Sequence, residues 1–311
     1  MRGITYAYLG PEAEAGKYAK KGTASDVTLF NAKKGDDALN IVTATRYPDK
    51  LTSLLLTLDL ADEVILQPAQ LDKTLGEQVV GCDLFGKTKG FLRPGDNSAQ
   101  LQQILAKTAL KDLTLSEEPE GVFRERLYER VAATNEGGLA IPVDHSFPVK
   151  GVGTVILGLV RSGEVKVHDT LQVFPTDKTL EVRSIQVHDI DYKSAPTRSR
   201  VGLAVKGIEA DQVPRGTVLA PKGSLKVLEA GKPVGFPLQL HPFNKWTPRA
   251  GTVLHLFHAL QDVVLRVDSA DAKTVAGKLE SPLAIVPGQP AVLVDLDNKV
   301  QRFVGRVTLP G

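Results

Sequence analysis

A chain of 311 residues that is 42% apolar and carries a net charge of +2 has room for two or three domains, each with its own core. Its first residues, MRGITYAYLG, lack the long apolar run of a secretory signal, and no stretch approaches the roughly 18 apolar residues of a membrane span. The cytoplasm is therefore the expected compartment, with no membrane partner, and the single cysteine, Cys82, excludes an intrachain disulfide and a cysteine zinc cluster.

In chain order, residues 1–116 alternate strand-like and helix-like runs. GITYAYL, DVTLFN, LNIVTA, EVILQP and KGFLRP read as short buried strands, and AEAGKYAKK, DKLTSLLLTLDLA, LDKTLGEQVVGC and NSAQLQQILAKTA have helical length and spacing. That alternation predicts an α/β domain with a mainly parallel sheet. Residues 117–137, with an acidic start, an ERLYERV core and a Gly-Gly stop, read as a helical linker. From Leu139 the texture becomes all-β. Short β-rich runs separated by Gly, Pro and Asp predict one barrel over 138–229 and a second β unit over 230–311. From residue 138 onward there are 21 basic against 16 acidic residues, which permits a nucleic-acid face without requiring one.

The barrel segment carries a set of spaced elements. They are Phe147-Pro148, Gly151 to Val155, Gly163 to Asp169, Val201 to Gly207 and Arg215 to Leu219. In this order they resemble the second domain of the elongation factor Tu superfamily of translational GTPases, and within it the archaeal-type selenocysteine-specific factor SelB. WTPRAGTVLHLFHALQDVVLRV resembles that family's third domain more weakly, and the fourth domain of SelB is expected to be absent. The resemblance implies a three-part fold of a G-domain-like α/β domain (1–116) and two β-barrels, with tRNA, the ribosome or another RNA as partner.

The first strand then runs into GPEAEAGK, at the place of a phosphate-binding loop. Gly10, Gly16 and Lys17 are its candidate remnants, but five residues rather than four separate the two glycines. Tyr18 stands where a compact hydroxyl would hold magnesium, and Glu12 and Glu14 bring negative charge beside the phosphate position. After LNIV the chain reads Thr43-Ala44-Thr45-Arg46-Tyr47-Pro48, without the Asp and Gly of the family's switch, and Asp49 replaces its catalytic His. Asp96-Asn97 lacks the spacing of the guanine reader. The expectation is a degenerate G domain with no GTP or magnesium cofactor, in a protein that is not an enzyme.

Candidate RNA or aminoacyl contacts are Arg198 and Arg200, the latter matching the Arg of an Asp-Arg pair in SelB, and Lys245, Trp246 and Arg249 in HPFNKWTPRAG. For each the plainer reading stands beside it: solvated barrel-loop arginines, and a tryptophan that anchors packing. His255 and His258 would point to opposite faces of a strand, which argues against a shared metal. Two further functions stay open, a divergent but active GTP-binding elongation factor and a protein–protein scaffold.

Overall fold

The computed structural model describes residues 2–311 except 96–97, 132–136, 245 and 299, and divides into two compact units, 1–133 and 134–311. The first contains β1 (Arg2–Leu9), α1 (Glu12–Ala15), β2 (Lys20–Ala24), β3 (Thr28–Lys34), β4 (Asp37–Thr43), α2 (Leu51–Leu60), β5 (Glu63–Leu66), α3 (Lys73–Phe85), β6 (Gly90–Leu92), α4 (Ser98–Leu105), β7 (Thr114–Leu115) and α5 (Glu120–Tyr128). One sheet runs in the order β2-β3-β4-β1-β5-β6-β7, parallel from β4 to β7 and antiparallel across β2-β3-β4. β1 is buried at all but its first residue, as an unbroken apolar run in a central parallel strand requires. α2 is buried almost all round, so its leucines need no amphipathic pattern. Asp72 caps α3 by accepting from the Thr74 and Leu75 amides, and Gly86 ends it in the left-handed region at φ 67°.

Two expectations are corrected here. AEAGKYAKK is not one helix. Its helical part is a single turn, Glu12–Ala15, and Lys20–Ala24 leaves to pair with β3 as the exposed edge strand. Tyr18 and Ala19 are buried between them, so apolar burial in the sheet's core outweighs the helical spacing. Nor is 117–131 a linker. Phe123 and Leu127 of α5 are fully buried in one core with Tyr6, Tyr18 and Phe91, and the Tyr6 hydroxyl donates to the Leu127 carbonyl at 3.1 Å. The last five residues before Gly137 lie outside the described residues.

The second unit holds β8 (Ile141–Val149), β9 (Gly153–Leu159), β10 (Glu164–Lys166), β11 (Thr170–Phe174), β12 (Thr179–Val187), β13 (Ile190–Tyr192), β14 (Ser194–Pro196), β15 (Arg200–Lys206) and β16 (Val218–Ala220). Then come β17 (Lys226–Leu228), β18 (Pro233–Leu240), β19 (Val253–His258), β20 (Gln261–Ala270), β21 (Thr274–Leu279), β22 (Leu283–Ile285), β23 (Val292–Val294) and β24 (Phe303–Val307). Strands β11-β16-β8-β9-β15-β12 close on themselves through β11–β12, with β13 appended; β18-β21-β20-β19-β23-β24 form a second closed barrel. β17 pairs with β22, so three residues assigned to the first barrel by sequence belong with the second.

The barrels share a core: Ala140, Phe174, Val218 and Ala220 of the first pack with Ala259, Ala284 and Val286 of the second. Gly216, at φ 87°, shows why the Arg-Gly element carries a glycine. A Cβ there would sit 3.0 Å from the Leu260 carbonyl oxygen, so both the backbone angle and the approach of the second barrel demand none.

Candidate functional site

The crevice outside the carboxyl ends of the strands is where an open α/β sheet binds ligands. Here the ends of β1, β4 and β5 frame a cavity of about 370 Å³. Tyr8, Glu12, Thr43, Tyr47, Asp72 and Gln78 are among its walls, and among the described residues its charged lining is Glu12 and Asp72, with no lysine or arginine. Gly10 is there for packing: a Cβ would lie 2.3 Å from the Gln67 carbonyl oxygen. Gly16 follows the single turn of α1 with an ordinary right-handed backbone.

Lys17 is held by two carboxylates, Glu120 at 2.7 Å and Glu14 at 2.9 Å, and these bonds raise its pKa. Tyr18 packs edge-on to Phe123 with ring centres 5.2 Å apart. Glu12 accepts from Lys21 Nζ at 2.9 Å and from the Thr43 hydroxyl at 3.2 Å. Burial alone would raise its pKa, but bonds from Lys21, Thr28 and Thr43 outweigh that and hold it below the usual carboxylate range. Beyond β6, where a base reader would begin, Arg93 lies 4.4 Å over the Phe123 ring and donates to Ser116 Oγ and the Glu118 carbonyl. Asp96 and Asn97 lie outside the described residues.

In the first barrel, Arg200 is not a solvated loop residue. It opens β15, its side chain is 13% exposed, and its Nη2 donates to Asp144 Oδ2 at 3.0 Å. Asp144, 7% exposed, is the extra residue of a β-bulge in β8, where the register with β9 shifts between Val143 and His145. The bulge breaks the alternation of the strand and turns this carboxylate toward Arg200. Arg215 Nε donates to the Asp144 carbonyl at 2.9 Å and lies 3.7 Å from its Oδ1. Two guanidinium groups thus share one carboxylate. Arg200 Nε and the Ser199 hydroxyl beside it are buried with no hydrogen-bond partner. Such a site can accept an anionic or multiply hydrogen-bonding group. Sequence reasoning found Arg200 and missed Asp144 and Arg215; a charged residue inside PVDHSF, out of step with the apolar alternation, was the available signal. Arg198 is half-buried at φ 70°.

In the second barrel, Trp246 is half-buried against the barrel core, the packing alternative of the sequence reading, while Arg249 is exposed. Lys245 lies outside the described residues. The two histidines go separate ways. His255 Nδ1 meets Asp262 Oδ1 at 2.7 Å, and buried His258 bonds the Pro290 carbonyl through Nδ1 and accepts from the Val286 amide through Nε2.

An α/β domain with this strand order, followed by two barrels with a common core, is the architecture of a translation factor. Residues 153–220 match the family model for elongation factor Tu domain 2. An uncharacterized protein of Methanocaldococcus jannaschii is 36% identical over 305 residues, covering 97% of this chain and 98% of its own. The selenocysteine-specific elongation factor of the same organism is 30% identical over 197 residues, which are 62% of this chain and 41% of that factor. The crystal structure of a bacterial selenocysteine-specific elongation factor superposes with a TM-score of 0.82 at 19% identity, over 99% of this chain and 58% of its own. Residues 153–220 thus carry an elongation factor Tu domain 2, and the chain is similar in sequence and fold to SelB-like members of the elongation factor Tu superfamily. It spans well under two thirds of both selenocysteine factors. Among the described residues no helix is long and apolar enough to cross a membrane.

Proposed function

We propose that this protein is a translation-factor paralogue that acts as a binding module without nucleotide, neither binding nor hydrolysing GTP, and that its barrel pair engages tRNA, the ribosome or another RNA. The observation that carries the reading is the occupancy of the phosphate position by protein groups: Lys17 is held by Glu14 and Glu120, and Glu12, paired with Lys21, stands with Asp72 in the crevice. Triphosphate and magnesium do not fit this set of residues. Each like-charge contact at about 4 Å costs about 4 kcal/mol at an effective dielectric of 20. A switch operated by nucleotide needs a ligand with different affinities for two states, and without one the protein holds one arrangement.

On the barrels, the half-satisfied Arg200 with Ser199 is the candidate contact for an aminoacyl or phosphate group, and Arg198 and Arg249 are candidates for the RNA backbone. Calorimetry with GTP and magnesium tests the first half: a dissociation constant below about 10 μM, roughly −6.8 kcal/mol, overturns it. Gel shifts with total tRNA at low and moderate salt test the second. A complex that weakens steeply with salt is expected, and no shift at low salt overturns it in favour of a protein partner.

A further inference from the structure

We propose that the Glu12 carboxylate is a built-in anion, standing in the crevice for the ligand phosphate and clamping the two segments that a nucleotide would otherwise order. The inference rests on the nucleotide-free reading above and extends it to what holds the domain in one state. β3 runs antiparallel to β4 with Thr28 opposite Thr43, so the segment before β3 and the segment after β4 both lie at the carboxyl end of β4, on the side where an open α/β sheet binds its ligand. Switch segments of that kind are ordered by phosphate and metal contacts and released when those are lost.

Here both segments converge on one side chain at the start of α1, Glu12. Lys21 of β2 donates to Glu12 Oε1 at 2.9 Å, and Thr43, the last residue of β4, donates to Oε2 at 3.2 Å. The Thr28 hydroxyl at the start of β3 also bonds the carboxylate, and it lies 2.8 Å from the Thr45 hydroxyl. The donors are one ammonium and two hydroxyls, a set that suits anionic oxygens of either a carboxylate or a phosphate. The clamp continues outward. Arg46 meets Asp26 at 3.4 Å, and the Ser53 hydroxyl donates to the Asp26 carbonyl while accepting from the Arg46 amide at 3.1 Å. Residues 20–28 and 43–46 are therefore joined through protein groups alone. A carboxylate on the chain cannot diffuse away, so the clamp re-forms at high effective concentration whenever it opens.

Hydrogen exchange on the full chain decides this, comparing wild type with Glu12→Ala and Glu12→Gln. In E12A, amides of residues 20–28 and 43–48 should exchange about tenfold faster or more, the factor equivalent to about 1.4 kcal/mol, with β5, β6 and both barrels unchanged. E12Q, which keeps an acceptor but no charge, should fall between and guards against an unfolded alanine variant. Millimolar inorganic phosphate should restore protection in E12A where sodium chloride at equal ionic strength does not. Wild-type exchange in both segments of E12A, a loss spread evenly over the first unit in both variants, or identical effects of phosphate and chloride would overturn the proposal. GTP binding by the wild type would overturn the nucleotide-free reading and leave this exchange comparison standing.

Discussion

The two units keep the family likeness in different ways. In the barrels the likeness resides in residues: glycines at forced turns, such as Gly216 against the second barrel, and alternating apolar positions that fill the interior. In the α/β unit it resides in the order of strands, while the loops at the carboxyl ends of those strands carry other chemistry. Strand order is fixed by core packing, and the loops beyond it by whatever they bind. In this chain those loops are filled by its own side chains, Glu12 with Lys21 and Thr43, and Lys17 with Glu14 and Glu120.

The largest effects separate the units. A fragment ending at residue 116 is expected to aggregate, and one ending at 131 to fold, because α5 brings fully buried Phe123 and Leu127 to the first core. At about 1.5–3 kcal/mol for each large side chain, their loss rivals a domain's total stability of about 5–15 kcal/mol. Residues 138–311 alone should unfold in one cooperative transition, because the two barrels share the core around Phe174, Val218 and Val286. Two separate transitions by circular dichroism would show the barrels to be independent.

Next in size is the buried pair of the first barrel. Asp144→Ala leaves the Arg200 guanidinium buried beside Arg215 and is expected to destabilise 138–311 by about 3–5 kcal/mol in urea. Adding Arg200→Met should recover much of that loss, since an apolar pair of similar volume avoids the desolvation. The same contact makes charge reversal at Arg200 a folding mutation. Arg249, which is exposed, is therefore the cleaner probe of RNA. Arg249→Glu should leave unfolding unchanged, weaken a tRNA complex across sequences, and lower the slope of affinity against log salt by about 1. An unchanged slope would remove this loop from the interface.

The barrels were legible in the sequence because their determinants are local: period-two alternation, turn glycines and fixed spacings. The mainly parallel α/β class of the first unit followed from its alternation of elements, while the order of its strands did not. Four further features were not legible. β2 was hidden because its residues are exposed and lysine-rich, and only pairing with β3 makes them a strand. The role of α5 depends on long-range contacts to Tyr6 and Phe91 that no local pattern announces. Glu12 was read as repulsion beside a phosphate; its partners Lys21, Thr28 and Thr43 come from three other strands, and only the fold assembles them into an attraction. Asp144 was missed for the same reason, since a bulge is a property of two paired strands.

The smallest expected effect tests how local the second unit's electrostatics are. The hydrogen bond that the His255 ring donates to Asp262 raises the His255 pKa above its ordinary 6.5; burial opposes it, and the charges of Asp262, Asp297 and Asp295 add to it. The folded state thus favours the protonated ring. Its contribution is fully present below the ordinary value and is lost as pH rises through the raised folded value. With side chains 25% and 34% exposed, the pair is screened, and its contribution is below about 1 kcal/mol. His258, whose Nδ1 bonds the Pro290 carbonyl and whose Nε2 accepts from the Val286 amide, is common to both proteins, so comparing wild type with His255→Asn isolates His255. The melting temperature of 138–311 should therefore fall slightly between about pH 5 and 8, and His255→Asn should flatten that slope. A slope unchanged in H255N would assign the pH response elsewhere in the barrels and show that the β19–β20 hairpin is held by its apolar face alone.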